Sequence, residues 1–225
     1  MLSRTDKVIV LFSGGIDSTA LLYRLLSRTE AVVHAHHVHL INVEGRFTCE
    51  KIAVERLVPY LRAHTRAFEY SESTFASNAL RYSGMDIITA LYCGALAAQD
   101  DLLNHRDSAG RPRYQYKVAV GDNAGTYQAD SWPSPVAHMI FQAASLSHPR
   151  NTQYIPQLIQ PIVHLTKRQL IEELPPALLD LTWSCRRPRY LKDKDQYVEC
   201  AECHSCEELK TLGLLKGKVF KAGGR

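Results

Sequence analysis

Four cysteines crowd into 22 residues near the end of the chain, as Cys185-x14-Cys200-x2-Cys203-x2-Cys206. Thiolates two residues apart can bind one cation together, and Zn2+ takes four such ligands in a tetrahedron at about 2.3 Å. The same C-x2-C-x2-C run also occurs around iron–sulfur clusters, so that alternative stays open. The long return to Cys185 favours a structural zinc knot with every position filled by protein. His204 lies inside the cluster and can replace a cysteine, although four thiolates leave it redundant. Met1 to Lys7 lacks a signal peptide's apolar core, so a cytoplasmic location is expected and the crowding reads as metal binding before disulfides.

A second concentration of chemistry is Phe12-Ser13-Gly14-Gly15-Ile16-Asp17-Ser18-Thr19. Two glycines let backbone N–H groups turn toward a ligand. The hydroxyls of Ser13, Ser18 and Thr19 add donors, and a helix starting here aims its positive end at the same place. Together these make a site for a polyphosphate. Neither G-x-x-x-x-G-K-S/T nor G-x-G-x-x-G is present, so the loop is not a Walker A or a dinucleotide fingerprint. A bare Gly-Gly would be explained by a capped turn; the full string S-G-G-I-D-S between strand and helix points to phosphate. Asp17 reads as a helix cap, as an Mg2+-linked carboxylate, or as both.

Other residues carry weaker signals. Asp122, Asn123 and Asp130 follow the fourth strand-like run, where a carboxylate can accept from the N–H groups of a purine-like ligand, and Trp132 can stack on a flat heterocycle. Turn chemistry explains Gly-Asp-Asn equally well. His34 and His36 share one face of a strand while His37 and His39 share the other, so the four cannot converge on one metal. His37 and His39, nearest the strand's carboxyl end, can still line a crevice. Cys93 falls among Ala and Leu and reads as buried and inert; Cys49 opens a helix, where a thiolate would be favoured.

The elements that must position these groups alternate. Lys7–Phe12, Ala31–Ile41, Thr65–Tyr70, Gln115–Val120 and Gln157–Ile162 read as strands. Between them, helical spacing marks Leu21, Leu22, Leu25 and Leu26, then Val54, Leu57, Val58 and Leu61, then Gly84–Leu103 and Pro135–Ser147. Thr166 with Gln169 forms a capping box for a last core helix, which Pro175-Pro176 ends. Repeated β-α-β units predict an α/β fold, a doubly wound parallel sheet with ligands at the carboxyl ends of its strands. This reading divides the chain into an α/β domain carrying the phosphate loop over 1–184, a zinc knot packed on it over 185–212, and a solvated basic tail over 213–225.

The whole chain has 225 residues, with 27 Lys and Arg against 23 Asp and Glu. Its charge of +4 permits an anionic small molecule or a nucleic acid and points to neither. No apolar run approaches the roughly 18–20 residues of a membrane span.

Ser13 to Ser18 resembles the pyrophosphate loop of the PP-loop ATP-pyrophosphatase superfamily, whose members bind ATP, adenylate a carbonyl or carboxylate oxygen and release pyrophosphate. Pro161 to Lys167 resembles its later P-x-x-x-x-T/S-K element, which implies that Lys167 approaches the phosphates and serves catalysis; the plain alternative is a solvated lysine at a helix start. Loop and cysteine set together resemble the 7-cyano-7-deazaguanine synthase (QueC) family, with Thr182-Trp183-Ser184-Cys185 matching its S-C and the four cysteines its zinc ligands.

That resemblance implies an ATP-dependent C–N ligase using Mg2+ and Zn2+. Its substrates would be a deazapurine carboxylate, 7-carboxy-7-deazaguanine, and ammonia, with the product passing through an amide to a nitrile. Neither a membrane nor a nucleic acid is expected as direct partner, and zinc-knotted relatives are often homodimers. The departures lie where substrate should bind: Trp132 to Met139 keeps only an aromatic residue and a proline of the family's Y-P-D-C-R-P-E-F-like stretch, and His39 to Arg46 replaces a Y-G-Q-R-H-like element. Other readings are a PP-loop enzyme that modifies tRNA, a QueC-like enzyme that stops at the amide or uses another acceptor, and a nucleotide-binding subunit without catalysis.

Overall fold

The computed structural model describes residues 2–42, 44–76, 86–124, 134–147 and 154–221. Its elements run β1 (Asp6–Leu11), α1 (Ile16–Arg28), β2 (Val32–Ile41), α2 (Phe47–His64), β3 (Glu69–Ala76), α3 (Asp86–Asn104), β4 (Gln115–Ala119), α4 (Ser134–Ser147) and β5 (Gln157–Ile159). The chain continues through α5 (Lys167–Glu173), α6 (Pro176–Leu181), β6 (Arg189–Leu191), β7 (Gln196–Val198), α7 (His204–Thr211) and β8 (Val219–Lys221). β1 to β5 form one parallel sheet in the order β3-β2-β1-β4-β5, which is the expected doubly wound α/β fold.

Side-chain alternation along β1 divides the core. Val8 and Val10 pack with α1 and α2 on one face, while Ile9 and Leu11 pack with α3 and α4 on the other. The connections from β1 therefore leave in opposite directions, and a crevice opens between the carboxyl ends of β1 and β4. α1 buries Leu21, Leu22, Leu25 and Leu26 as its spacing predicts. α5 carries the predicted capping box, with Gln169 N–H donating to Thr166 Oγ1 and Thr166 N–H to Gln169 Oε1.

Several boundaries differ from the sequence reading; β5 ends at Ile159 rather than Ile162, and three further differences have physical causes. β3 starts at Glu69 because Thr65 ends α2, donating its N–H to Leu61 O, and the polar run of this edge strand hides its period. Pro175-Pro176 stops α5 but also starts α6, since proline suits a first helical turn. The segment read as a solvated tail from Gly213 instead carries β8, which pairs with β7 and buries Phe220 against Trp183 at 4.7 Å between ring centroids. Among the described residues no helix is long and apolar enough to cross a membrane.

Candidate functional site

At the carboxyl end of β1 the chain turns through Ser13-Gly14-Gly15 into α1. Gly14 has φ +78°, and a Cβ there would meet Val54 Cγ2 at 3.0 Å, so only glycine fits this turn against α2. The loop is tied internally: Ser18 Oγ accepts from Ser13 N–H at 3.2 Å, and Ser13 Oγ accepts from Gly15 N–H at 3.3 Å. Gly15 caps α1 without a side-chain hydrogen bond, so no side chain of the cap competes for the first-turn amides.

Four other segments close around this loop. The end of β4 comes against α1 because Gly121 has no side chain; a Cβ there would lie 3.0 Å from Ser18 N. Asn123, just beyond it, donates to Asp17 Oδ1 at 3.0 Å. Lys167, at the start of α5 and 7% exposed, reaches across to Asp17 Oδ2 at 2.5 Å, with Glu208 Oε2 of α7 at 3.5 Å. Trp183 donates its backbone N–H to Gly14 O at 2.9 Å, and Ser184 Oγ accepts from Ile16 N–H at 3.2 Å.

These groups surround a cavity of about 300 Å3. Phe12, Ser13, Gly15, Asp17, Ser18, Asp122 and Lys167 line it, as the sequence reading expects. Gly14, Thr19 and Asn123 do not: Gly14 shapes the turn, Thr19 is fully buried in the core with its hydroxyl without a partner among the described residues, and Asn123 is fully buried and holds Asp17 instead of facing the cavity. Asp122 accepts from Gln160 Nε2 at 2.9 Å, and burial raises its carboxyl above the ordinary range. Asp130 and Trp132 lie outside the described residues.

The cavity also has walls the sequence reading did not foresee. Leu11, Val38, Leu40, Ile87, Ala90 and Val120 make an apolar side suited to a flat ring, and His36 lines the cavity with them. Arg46, Glu50, Arg186, His204 and Ser205 make a polar side. Alternation on a strand gave His36 a face but no destination; the groups on α7 carry no local motif.

The four cysteines converge. Their Sγ atoms all lie within 4.8 Å of one another, with Cys185–Cys200 at 3.5 Å and Cys200–Cys206 at 3.9 Å. Four thiolates at about 2.3 Å from a single ion stand about 3.8 Å apart, so this set fits one tetrahedral cation; a four-iron cube between them would hold them farther apart. Backbone N–H groups already point at the sulfurs, from Arg186 to Cys203 at 3.3 Å and from Cys200 to Cys185 at 3.3 Å. Burial pushes the Cys185 thiol up to about 12. At Cys203 burial acts the same way, but the Arg186 amide and the neighbouring thiols bring it down to about 7. A cation at the centre favours the thiolate at every position.

His34, His36 and Cys49 are placed differently. His34, Glu69 and Asp101 lie close enough together to bind a metal, yet Lys7 Nζ stands 2.6 Å from Asp101 and 2.7 Å from Glu69, so a protein cation already fills that position. His34 and His36 are bridged by Ser71 Oγ at 2.6 and 2.8 Å, on the face opposite His37. His37 Nδ1–H donates to Phe12 O at 2.8 Å in a buried contact, since the carbonyl oxygen can only accept. Cys49, expected as a weak thiolate candidate, is fully buried, and burial pushes it up to about 12.

No protein-family model matches the chain, and no curated protein matches it. The solved structures similar to it include the following two. One is the U34-tRNA thiolase NcsA from Methanococcus maripaludis with its 4Fe-4S cluster, at 16% identity and a TM-score of 0.45, over 81% of this chain and 59% of that one. The present chain thus spans 59% of the thiolase's length. The other is a predicted subunit of tRNA methyltransferase from Methanocaldococcus jannaschii, at 13% identity and a TM-score of 0.34, over 74% of each chain. Likeness at this level carries no conclusion about activity.

Proposed function

We propose that this chain is a PP-loop enzyme that binds ATP, transfers the adenylyl group to an acceptor oxygen and releases pyrophosphate. One observation carries the reading: the loop Ser13–Ser18, the start of α1 and the Lys167 ammonium converge on a single cavity of about 300 Å3. Amides and hydroxyls held in place before the ligand arrives are what a departing pyrophosphate needs. Asp17 would carry Mg2+ beside the phosphates, and Lys167 would neutralise charge there. The apolar side near His36 offers room for a ring, and Asp122 offers a polar contact beside it. The four cysteines would hold Zn2+ as a structural ion, which their spacing supports.

The acceptor we favour is 7-carboxy-7-deazaguanine: ammonia would displace AMP from the adenylated carboxylate to give the amide, and a second ATP would adenylate the amide oxygen, which leaves as AMP with loss of the nitrogen's protons to give the nitrile. Its support is the ordered resemblance of the loop, the Pro161–Lys167 element, Thr182–Cys185 and the cysteine set. A second reading places the acceptor base in tRNA. Arg46 and Arg186 at the cavity, with exposed Arg187, Arg189, Lys192 and Lys194 beyond them, favour it, since phosphates of a nucleic acid need such a track.

Mass spectrometry of zinc-loaded protein with ATP, Mg2+ and ammonium, supplied with either the deazapurine acid or unmodified tRNA, separates these readings. AMP with amide or nitrile formation only from the acid supports the ligase. AMP and a mass change only in tRNA moves the assignment to base modification. ATP bound without AMP from either acceptor removes the adenylation reading.

A further inference from the structure

We propose that Trp183 and Ser184 are positioning residues that couple the four-cysteine site to the phosphate loop, so that the bound metal ion sets how tightly the loop holds a nucleotide. This rests on the reading above that the loop takes ATP.

The coupling is a short chain of contacts. Cys185 is one of the four ligands, and the two residues before it touch the loop directly. Trp183 N–H donates to Gly14 O at 2.9 Å, the carbonyl of the residue at φ +78°. Ser184 Oγ takes the Ile16 N–H at 3.2 Å, the first amide of α1. The turn that links these contacts to the metal site is itself pinned, because the Trp183 indole N–H donates to Cys185 O at 3.0 Å. Its ring is 1% exposed and packs on Phe220 of β8, which belongs to the cysteine-rich half.

The physical consequence follows from the loop's composition. Two adjacent glycines lose more conformational freedom on ordering than any other pair, so an unbraced loop would surrender that entropy when phosphate binds. Fixing Gly14 and Ile16 beforehand removes part of the cost and aims the first-turn amides. The brace is only as firm as its anchor at Cys185. Four buried thiols within 4.8 Å of one another hold together best around a cation, which satisfies every sulfur at once. Loss of the ion loosens Cys185, and through it the Trp183 and Ser184 contacts.

The test compares zinc-loaded with chelator-stripped protein, each as wild type and as Ser184→Ala, by amide hydrogen exchange without nucleotide and by ATP titration. In loaded protein, Ser184→Ala should speed exchange at Ile16 about 5-fold and weaken ATP binding by a similar factor, the worth of one neutral hydrogen bond. Stripping wild type should do at least as much while the β1 amides of Val8 to Val10 stay protected. Stripping the variant should add less than the product of the two effects, because both act through one contact. Unchanged Ile16 exchange on stripping, or effects that multiply fully, overturns the proposal. If no form binds ATP, the nucleotide reading fails and Ile16 exchange still decides whether the brace exists. Should stripping release β1 as well, Trp183→Phe with metal in place carries the test: it frees the Cys185 carbonyl, and Ile16 exchange must rise.

Discussion

Lys7 and Lys167 are both buried lysines paired with an aspartate, one at the amino end of the parallel sheet and one at its carboxyl end. Lys7 Nζ lies 2.6 Å from Asp101, and Lys167 Nζ lies 2.5 Å from Asp17. Their surroundings differ. Asp101 also takes Tyr116 OH at 2.8 Å and His34 Nδ1 at 3.3 Å, and Lys7 reaches Glu69 as well, in a side-chain position 1% exposed. Every group there has its charge answered by the protein. Around Lys167 the protein answers less: the pair borders the cavity beside glycine amides, and Asp17 keeps a quarter of its side chain exposed. The same two residue types thus make a sealed structural pair and an open site. Access to a ligand, rather than the pair itself, tells them apart.

The comparison breaks most directly at Lys7. Lys7→Met leaves the Asp101 carboxylate buried without its cation, which should cost about 3–5 kcal/mol of stability in urea unfolding. AMP formation per folded molecule should stay at the wild-type level. Restoring neutrality with Lys7→Met plus Asp101→Leu should return most of the loss. A drop in turnover that tracks Lys7 in fully folded protein would mean the amino end of the sheet takes part in the chemistry.

Lys167→Ala should give the reverse pattern. The loss of a cation beside a leaving pyrophosphate should lower AMP formation about 100-fold, or roughly 3 kcal/mol in the barrier. The unfolding midpoint should move little, because Asp17 keeps Asn123 as a partner and is partly solvated. A variant that turns over normally would return Lys167 to the role of a solvated helix-start lysine.

The sequence marked the members of one pair but not their meeting: Asp17 sits in the phosphate loop and Lys167 in the Pro161–Lys167 element, yet the two lie 150 residues apart. The phosphate loop, the Thr166–Gln169 capping box and the cysteine set are local: their partners lie within a few residues, and the chemistry is visible in the spacing. Lys7 and Asp101 carry no such mark, since they meet only once α3 has folded across the sheet. The Ser184–Ile16 bond joins residues 168 apart, so Thr182–Cys185 revealed only its cysteine. β8 was hidden among lysines and glycines, where one buried Phe220 in a basic run gives no period to read.

Acid should sharpen the contrast, because the two faces of β2 carry buried imidazoles. Burial brings His36 and His37 from 6.5 down to about 4. The unfolded chain therefore binds protons more readily than the native state below pH 6.5, and stability must fall as pH drops from there toward 4. The expected loss between pH 7 and 5 is about 2 kcal/mol for each ring. His36→Gln should remove about half of that slope in urea titrations at the two pH values. Asp101 acts lower. Burial alone would raise its carboxyl, but His34, Lys7 and Tyr116 together hold it below the usual range, so its contribution is present above the ordinary carboxylate pKa and is lost only as pH falls below it. Equal slopes in His36→Gln and wild type would show that the native ring titrates like a free one.

The smallest effect belongs to Cys49, whose sequence neighbour Glu50 lines the cavity while Cys49 itself turns into the core. One residue along a helix rotates a side chain by about 100°, which is enough to move it from the ligand side to the apolar side. The thiol is fully buried in the core, and burial, with Cys185 and Glu50 adding to it, pushes it up to about 12. A thiol so placed is almost entirely protonated near pH 7 and cannot attack an adenylated acceptor or carry sulfur to one. Iodoacetamide should leave Cys49 unlabelled in native protein and label it once urea unfolds the chain. Cys49→Ala should cost about 1 kcal/mol through lost packing and leave AMP formation unchanged. Labelling of the native thiol, together with loss of a sulfur-containing product in the alanine variant, would place a reactive cysteine next to the loop and turn the chemistry of this cavity from nitrogen to sulfur transfer.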